Sequence, residues 1–245
     1  MKLIADYHTH TRQSDGQGTV EQNVRAARRR GLEAVAITNH GPASLFGIGV
    51  KRPEVLLEVR RETRRIQDLY PDIEVLAGVE ANVVSGDGDL DVPADLLRDL
   101  DVVLVGLHPM VRFSTLGDAA RLGALNLAGR SVHALRGQAR EGNTWALIEA
   151  VTRHEVDIIT HPGLHLAIDT PKLAAACAKV GTALEISAGH PYMTPEFVEV
   201  AREEGALFAI GSDAHTPDNV GRLEAGLEIA EAADLDPKLV LNALH

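Results

Sequence analysis

Histidines and acidic residues stand at the ends of short apolar segments throughout this 245-residue chain. The first segment ends in His8 and His10, with Asp15 in the following loop, and the last ends in Asp213 and His215. The segments between them end in His40, Glu80, His108 and His161. Imidazole and carboxylate groups are the usual ligands of divalent transition metals. The pattern therefore predicts metal binding.

The spacing within the paired motifs indicates that their side chains act together. Residues two apart on a strand point to the same side. His8 and His10 can therefore both present their rings inward, and Asp213 and His215 can do the same with their side chains. In a parallel barrel, the carboxyl ends of all strands meet at one face, where active sites are built. We therefore expect nine residues that are scattered in sequence to converge in space.

A single histidine near a strand end is more often a partly buried residue than a ligand. Here, however, six of the eleven histidines stand at or just beyond predicted strand ends. Six imidazoles and three carboxylates packed without cations would leave buried polar groups unpaired, at roughly 1 to 3 kcal/mol each. Zinc takes about four ligands, so nine indicate two or three ions. Nitrogen and oxygen ligands without thiolate suit zinc, manganese or iron.

The elements that must position these residues alternate along the chain. Seven apolar, β-branched runs are predicted strands: 2–8, 33–40, 74–83, 101–108, 157–162, 183–187 and 207–215. Most are separated by segments with helical periodicity, the first of which begins with a Thr19 and Gln22 capping box. Continuous apolar strands are typical of parallel sheets covered on both faces. A doubly wound sheet would normally carry a glycine-rich phosphate turn, which is absent, so a closed α/β barrel is favoured.

Two segments interrupt this alternation. Residues 85–95 form an acidic, turn-rich loop, and residues 109–142 form a long connection. The connection carries five arginines: Arg112, Arg121, Arg130, Arg136 and Arg140. Because connections of this length are usually functional or contain a helix, we expect a lid with a short helix, within a single domain spanning 1–245.

Composition restricts the classes of partner. The net charge of −11 opposes binding of long nucleic acid and of anionic membrane surfaces. The sequence has no apolar run of about 18 residues and no signal-peptide pattern, so we expect a soluble, cytoplasmic protein. Its single cysteine, Cys177, is expected in the core. The sequence leaves the oligomeric state open.

Six motifs occur in order along the chain: HTH with SDG downstream, AITNH, GVEANV, GLHP, THPG and GSDAHT. Together they resemble the PHP (polymerase and histidinol phosphatase) family, and in particular its stand-alone bacterial phosphatases. The resemblance implies a distorted, TIM-like (βα)7 barrel of parallel strands with a trinuclear metal site at their carboxyl ends. By matching motif it implies three sets of ligands: His8, His10, Glu80 and Asp213; then Glu80 as a bridge with His108 and His161; then Asp15, His40 and His215.

The chain departs from the family pattern at three places. Asn39 stands where the family often has aspartate, which bears on how His40 is oriented. The sixth strand, LEIS, lacks the asparagine that often follows it, and the 109–142 connection is longer than in near relatives. Substrate preference is therefore not transferred from the family.

The resemblance implies a phosphatase acting on a small-molecule phosphomonoester. Glu80 and Asp213 would help to hold two metals that share a hydroxide, and this hydroxide would attack phosphorus. Coordination makes the hydroxide available because it lowers the pKa of water from about 15.7 toward about 7. Arg112 and the third metal would hold the nonbridging oxygens. The leaving alkoxide needs a proton, for which His190, His165 and metal-bound water are candidates, with His190 assigned to the role.

Three alternatives remain open. The same site would serve a phosphodiesterase that acts on nucleotides or nucleic-acid ends. A carbon–nitrogen hydrolase with a carboxylated lysine is disfavoured because no lysine stands at a predicted strand end. A noncatalytic, metal-binding regulatory domain is the third, and it would show saturated coordination around its ions.

Overall fold

The seven parallel strands of the computed structural model, which describes residues 1–190 and 192–244, form one sheet ordered as they occur along the chain. They are β1 (Ala5–Asp6), β2 (Ala34–Ile37), β3 (Glu74–Asn82), β4 (Val102–Gly106), β5 (Ile158–Ile159), β6 (Ala183–Ser187) and β7 (Leu207–Gly211). Beyond β1 and β7, Thr9 and Ala214 form a parallel bridge that brings the two edges together. The predicted seven-stranded barrel is confirmed, and it is nearly closed.

Helices alternate with the strands and surround the barrel. They are α1 (Val20–Arg29), α2 (Glu54–Leu69), α3 (Ala94–Leu97), α4 (Leu116–Asp118), α5 (Leu125–Ser131), α6 (His133–Arg153), α7 (Thr170–Val180), α8 (Pro195–Glu203) and α9 (Glu224–Ala232). A π-helical segment, Ala119–Ala124, joins α4 to α5, and a short 3₁₀ helix, Pro237–Leu239, lies near the end. Within the described residues, no helix is both long and apolar enough to cross a bilayer.

Local sequence explains why these elements form. All residues of β2 and β4 are buried, as expected for strands covered on both faces. The predicted capping box begins α1: Thr19 Oγ1 accepts from the Gln22 amide at 3.2 Å, and Gln22 Oε1 accepts from the Thr19 amide at 2.9 Å. Cys177 is fully buried in α7 and is therefore a core residue, as expected. This burial raises the pKa of its thiol to about 12.

Side chains fasten β1 to β7 where few backbone hydrogen bonds join them. The buried Asn242 amide donates to Ala5 O at 2.7 Å and Ile210 O at 2.8 Å, while its Oδ1 accepts from Ile210 N. Asp6 accepts from Ser212 Oγ at 2.6 Å and from the Gly221 amide at 2.8 Å. These contacts fix the first and last strands beside each other, and with them the motifs at their carboxyl ends.

The 109–142 connection differs from the single short helix that we expected. It contains α4, the π-helical segment and α5, and it continues into the first half of α6. The helices α5 and α6 form a hairpin in which Asn126 and Asn143 exchange amide hydrogen bonds of 2.7 and 2.9 Å. This partly buried pairing between residues 17 apart stabilises the hairpin and is not visible as a local sequence signal.

Candidate metal centre

Glu80 lies at the centre of a cluster formed by the carboxyl ends of the strands. It projects from β3, and none of its surface is exposed. One carboxylate oxygen, Oε2, lies 2.6 Å from His40 Nδ1 and 3.4 Å from His8 Nε2. The other, Oε1, lies 3.2 Å from His108 Nε2 and 3.0 Å from His161 Nε2. The two oxygens therefore face two different sets of histidines, as a bridging ligand requires.

Asp213 and Asp15 provide the other two carboxylates of the cluster. Asp213 Oδ1 lies 3.2 Å from His10 Nε2 and 3.5 Å from His8 Nε2. Asp15 is nearer the surface, with Oδ2 lying 3.2 Å from His215 Nε2. All nine residues expected to bind metal are thus brought together by the fold.

The nine residues divide into overlapping groups of potential ligand atoms that lie within 4.8 Å of one another. One group contains His10, Asp15, His40 and His215, and three smaller groups are His8, His10 and Asp213; His8, Glu80 and His161; and His40, Glu80 and His108. Two of these groups correspond to the first and third ligand sets implied by the family motifs. His108 and His161 of the second set fall in separate groups, although their Nε2 atoms lie 3.4 Å apart.

Unpaired polar atoms indicate that this arrangement suits cations. Within the described residues, six buried atoms of the cluster form no hydrogen bond: His8 Nε2, His10 Nδ1, His10 Nε2, His40 Nδ1, Glu80 Oε2 and Asp213 Oδ1. The close His40 and Glu80 atoms are among them, so their short separation is not a hydrogen bond. Because unpaired buried polar groups cost about 1 to 3 kcal/mol each, ligation by cations is the favourable use of these atoms. The residues present fit divalent metal ions with nitrogen and oxygen ligands.

The charges in the cluster favour anionic carboxylates. Burial opposes ionisation of Glu80, but the charges of His40, His108 and His8 outweigh it and hold its pKa well below the ordinary value. Burial likewise opposes ionisation of Asp213, and nearby histidines hold its pKa well below the ordinary value. Both carboxylates therefore remain charged near neutral pH, as metal ligands must be.

Two histidines differ strongly in protonation. Burial and the positive charge of His40 lower the pKa of His10 to about 3, so its ring is neutral and has a free lone pair. Burial also lowers the pKa of His215, but its hydrogen bond to Asp15 and the charges of Asp213 and Asp15 raise the value to about 9 overall. A cation bound by His215 near neutral pH must therefore displace a proton.

Glu185 on β6 positions two histidines of the cluster and was missed from the sequence. Its Oε1 lies 2.7 Å from His8 Nδ1, and its Oε2 accepts from the His161 amide at 2.7 Å. With Nδ1 turned toward Glu185, Nε2 is the ring nitrogen that faces Glu80 and Asp213. The available signal was a lone acidic residue inside the apolar strand ALEIS, where a buried charge requires a partner.

Asn82 and Asp91 form a chain of hydrogen bonds that orients His108, much as Glu185 orients His8. Asn82 Oδ1 lies 2.7 Å from His108 Nδ1, and Asn82 Nδ2 donates to Asp91 Oδ2 at 2.6 Å. Asp91 also accepts from the Ala43 amide at 2.8 Å. This chain of hydrogen bonds orients His108 Nε2 toward Glu80, and its acidic member comes from the turn-rich 85–95 loop.

The residues that depart from the family pattern have defined positions. Asn39 Oδ1 accepts from the Thr11 amide at 2.8 Å and from Ser14 Oγ at 2.8 Å, so it holds the loop that carries Asp15. Ser187, the last residue of LEIS, accepts from the His190 amide at 3.1 Å. Each therefore positions a neighbouring loop through hydrogen bonds.

Backbone strain coincides with the cluster. His161 and Asp213 adopt positive φ angles of 28° and 50°, which are uncommon for residues other than glycine. Such conformations cost about 1 to 3 kcal/mol and persist only where the surrounding structure enforces them, often at functional sites. Both residues stand two positions beyond the end of a strand, β5 for His161 and β7 for Asp213.

A cavity of about 190 Å³ opens above the cluster. Its lining includes His165 and the half-exposed His190, whose Nε2 lies 3.4 Å from Asp213 Oδ2. Of the 109–142 connection, only Pro109 and Met110 are among the described lining residues. Arg112 is exposed beyond Met110, and its amide donates to Ala43 O at 2.9 Å. The structure therefore brings His190 to the cavity and leaves Arg112 outside its lining.

The other arginines of the 109–142 connection do not line the cavity above the cluster. Arg136 Nε donates to Gly129 O at 3.0 Å, and Arg140 lies 3.7 Å from Asp169. Arg121 lies in a separate groove formed mainly by α6 and α7. Arg130 is exposed, and its charge contributes to the lowered pKa of His165, for which burial is the largest cause.

Comparisons with known proteins agree with this architecture. Two solved structures share the fold: a histidinol phosphate phosphatase from Lactococcus lactis, with a TM-score of 0.67, 15% identity and coverage of 96% of this chain and 95% of that chain; and a putative histidinol phosphatase from Listeria monocytogenes, with a TM-score of 0.64, 18% identity and coverage of 89% and 97%. The first was solved with zinc, L-histidinol and phosphate.

Other relatives share a higher sequence identity with this chain than these two structures do. A probable phosphatase of Thermoanaerobacter is 31% identical, covering 99% of this chain and 91% of the relative. A probable phosphatase of Shewanella frigidimarina is also 31% identical, covering 99% and 90%. The model of the PHP domain matches residues 6–216, a span that contains every residue of the candidate metal centre. The chain therefore belongs to the PHP domain family.

Proposed function

We propose that this protein is a phosphatase that hydrolyses small-molecule phosphomonoesters with two or three divalent cations held by the nine-residue cluster. The observation that carries the proposal is the convergence of six buried, unpaired ligand atoms around Glu80 and Asp213. Membership of the PHP domain family and full-length relatives named probable phosphatases support a metal-dependent phosphoesterase.

Each part of the cluster has a proposed role. His8, His10 and Asp213 would hold one cation, His108 and His161 a second, and Glu80 would bridge the two through its separate oxygens. Asp15, His40 and His215 would hold a third. When bound, divalent cations neutralise phosphate oxygens and make water acidic enough to act as a nucleophile near neutral pH.

His190 is the proposed proton donor to the leaving alkoxide. It lines the cavity, its side chain is 48% exposed, and its Nε2 lies beside Asp213 Oδ2. The carboxylate oxygen lies 3.4 Å from that nitrogen, and the exposed face of the ring is open to exchange of a proton with solvent. His165 lines the same cavity without such a carboxylate contact among the described residues, so His190 is the better placed of the two.

The test is metal-dependent turnover. Protein stripped of metal by chelation is assayed on 4-nitrophenyl phosphate, with and without added manganese or zinc, beside Asp213→Ala. Asp99→Ala is the matched control, because Asp99 is exposed and precedes β4 at the opposite end of the barrel. We expect metal to restore turnover in the wild type and in Asp99→Ala but not in Asp213→Ala. Metal-loaded wild type without turnover on any monoester would contradict the proposal.

A further inference from the structure

The lining of the cavity above the metal cluster contains two chemically different sets of residues. One set belongs to the ionisable cluster, and the other, here called the apolar wall, consists of Ile48, Pro109, Met110 and Leu164. Among the described residues that line this cavity, none is lysine or arginine. Positive charge for a substrate must therefore come from the cluster with its cations or from the histidines His165 and His190, and the wall itself offers contact only to an uncharged group.

The wall is held in place by contacts between two loops. Ser44 and Val111 form an antiparallel bridge, the Leu45 amide donates to Met110 O at 3.0 Å, and Val111 packs against Ala43 in a small buried cluster. The loop that carries Ile48 and the segment that carries Met110 therefore form one unit. Apolar side chains fixed in this way select by shape and polarity with little ordering cost.

The remaining part of the wall comes from the loop after β5. The Leu164 amide donates to His161 O at 3.0 Å, which ties this apolar residue directly to a residue of the cluster. Leu164 lines the same cavity as Ile48 and Met110, so an ester whose phosphate reaches the cations has these three apolar side chains available to its organic group. One cavity is therefore lined both by ionisable residues of the cluster and by the apolar wall.

We propose that this protein, in the phosphatase role argued above, prefers phosphate esters of apolar aryl or alkyl alcohols over esters of similar size that carry a second anionic group. An anionic group against the wall would lose its hydration and gain no cationic partner, whereas an apolar group gains contact. The nearest arginine of the adjoining segment, Arg112, lies two residues beyond Met110 and outside the cavity lining.

A matched pair of substrates tests this preference: 4-methylphenyl phosphate and 4-carboxyphenyl phosphate, with metal-loaded protein. The ionised carboxylate does not make the phenol a poorer leaving group, so intrinsic reactivity does not favour the methyl ester. We expect kcat/KM for the methyl ester to be about 10-fold higher or more, the range in which apolar pockets discriminate. Equal values, or a preference for the carboxylate, would overturn the proposal.

Substitutions locate the preference within the wall. Met110→Lys places a cation in the lining and is expected to reduce the ratio of the two kcat/KM values at least fivefold; Met110 is 50% exposed, so lysine is accommodated. Phe46→Lys is the control, because Phe46 is 86% exposed on the Ile48 loop and is not among the lining residues. Equal effects of the two substitutions would remove the wall as the cause.

The outcomes separate this proposal from the phosphatase assignment. If Met110→Lys fails to fold, judged by circular dichroism and metal content, Ile48→Lys replaces it with the same expectation. Hydrolysis of both esters without the expected preference would leave a phosphatase and reject the apolar wall. Absence of hydrolysis of every monoester by metal-loaded wild type would reject both.

Discussion

Replacement of Glu185 by glutamine tests whether this buried carboxylate controls metal binding without touching a metal. Glu185 accepts at both oxygens, from His8 Nδ1 at 2.7 Å and from the His161 amide at 2.7 Å. Glutamine has the same size but only one acceptor oxygen. One of the two donors must therefore face an NH₂ group.

Either orientation of the amide harms the site. If the NH₂ group faces His8, Nδ1 must accept, and the ring proton moves to Nε2, the atom that faces Glu80 and Asp213. If it faces the His161 amide, a buried donor loses its partner, which costs about 1 to 3 kcal/mol. Loss of such a partner behind a ligand lowers metal affinity about 10- to 100-fold.

The expected effect is measurable as heat stability. A 10- to 100-fold weaker affinity removes about 1.4 to 2.7 kcal/mol of metal-linked stabilisation when metal is in excess. For a chain of this size each kcal/mol shifts Tm by about 2 to 4 °C. We therefore expect the increase in Tm on adding manganese or zinc to be about 3 to 11 °C smaller in Glu185→Gln than in wild type.

The assay combines thermal unfolding with and without metal and metal titration by calorimetry. Glu199→Gln is the matched control, because Glu199 is an exposed residue of α8 and the substitution changes the same charge. The control is expected to behave as wild type. A Glu185→Gln protein that binds metal within twofold of the wild-type affinity would refute the role of Glu185 in setting the His8 tautomer.

Three further predictions concern the proton donor, the arginine and pH. His190→Ala is expected to lower kcat about 100-fold or more on alkyl phosphates and much less on 4-nitrophenyl phosphate, whose leaving group needs no proton; an equal loss on both, or a similar pattern in His165→Ala, would contradict the assignment. Arg112→Ala is expected to change KM and kcat less than twofold in steady-state assays, because Arg112 does not line the cavity; a tenfold rise in KM would restore the predicted phosphate clamp. Metal affinity is expected to rise with pH up to about 9, because His215 must lose a proton of raised pKa; calorimetry in buffers of different ionisation enthalpy should show proton release, and binding independent of pH would contradict it.

Much of the fold and the principal residues of the candidate centre could be predicted from sequence order alone. The strand after Glu33, for example, is continuous in its apolar character, and the histidine at its end reaches the cluster. Parallel strands all deliver their last residues to one face, so His40 and Glu80 meet although they are 40 residues apart. The period of the strands and the positions of their ends are sufficient to predict that these side chains lie close together.

Prediction was incomplete where a residue acts through a distant partner. Glu185 stands inside an apolar strand, and only its contacts with His8 and His161, which lie 177 and 24 residues away, reveal its purpose. Arg112 lies in the long connection that was expected to clamp phosphate, but its amide donates to Ala43 O and it is not among the residues that line the cavity. The charge of Arg112 and its position in the chain do not predict which residues its segment pairs with.

The barrel and the convergence of the nine candidate ligands follow from the sequence alone, because strand periodicity and the common direction of parallel strands are local properties with a necessary spatial result. The three-dimensional packing was needed to show which atoms remain unpaired, which carboxylate orients His8, and which apolar residues line the cavity. These depend on how loops from different strands pack against each other, and that packing is set by contacts between residues far apart in the chain.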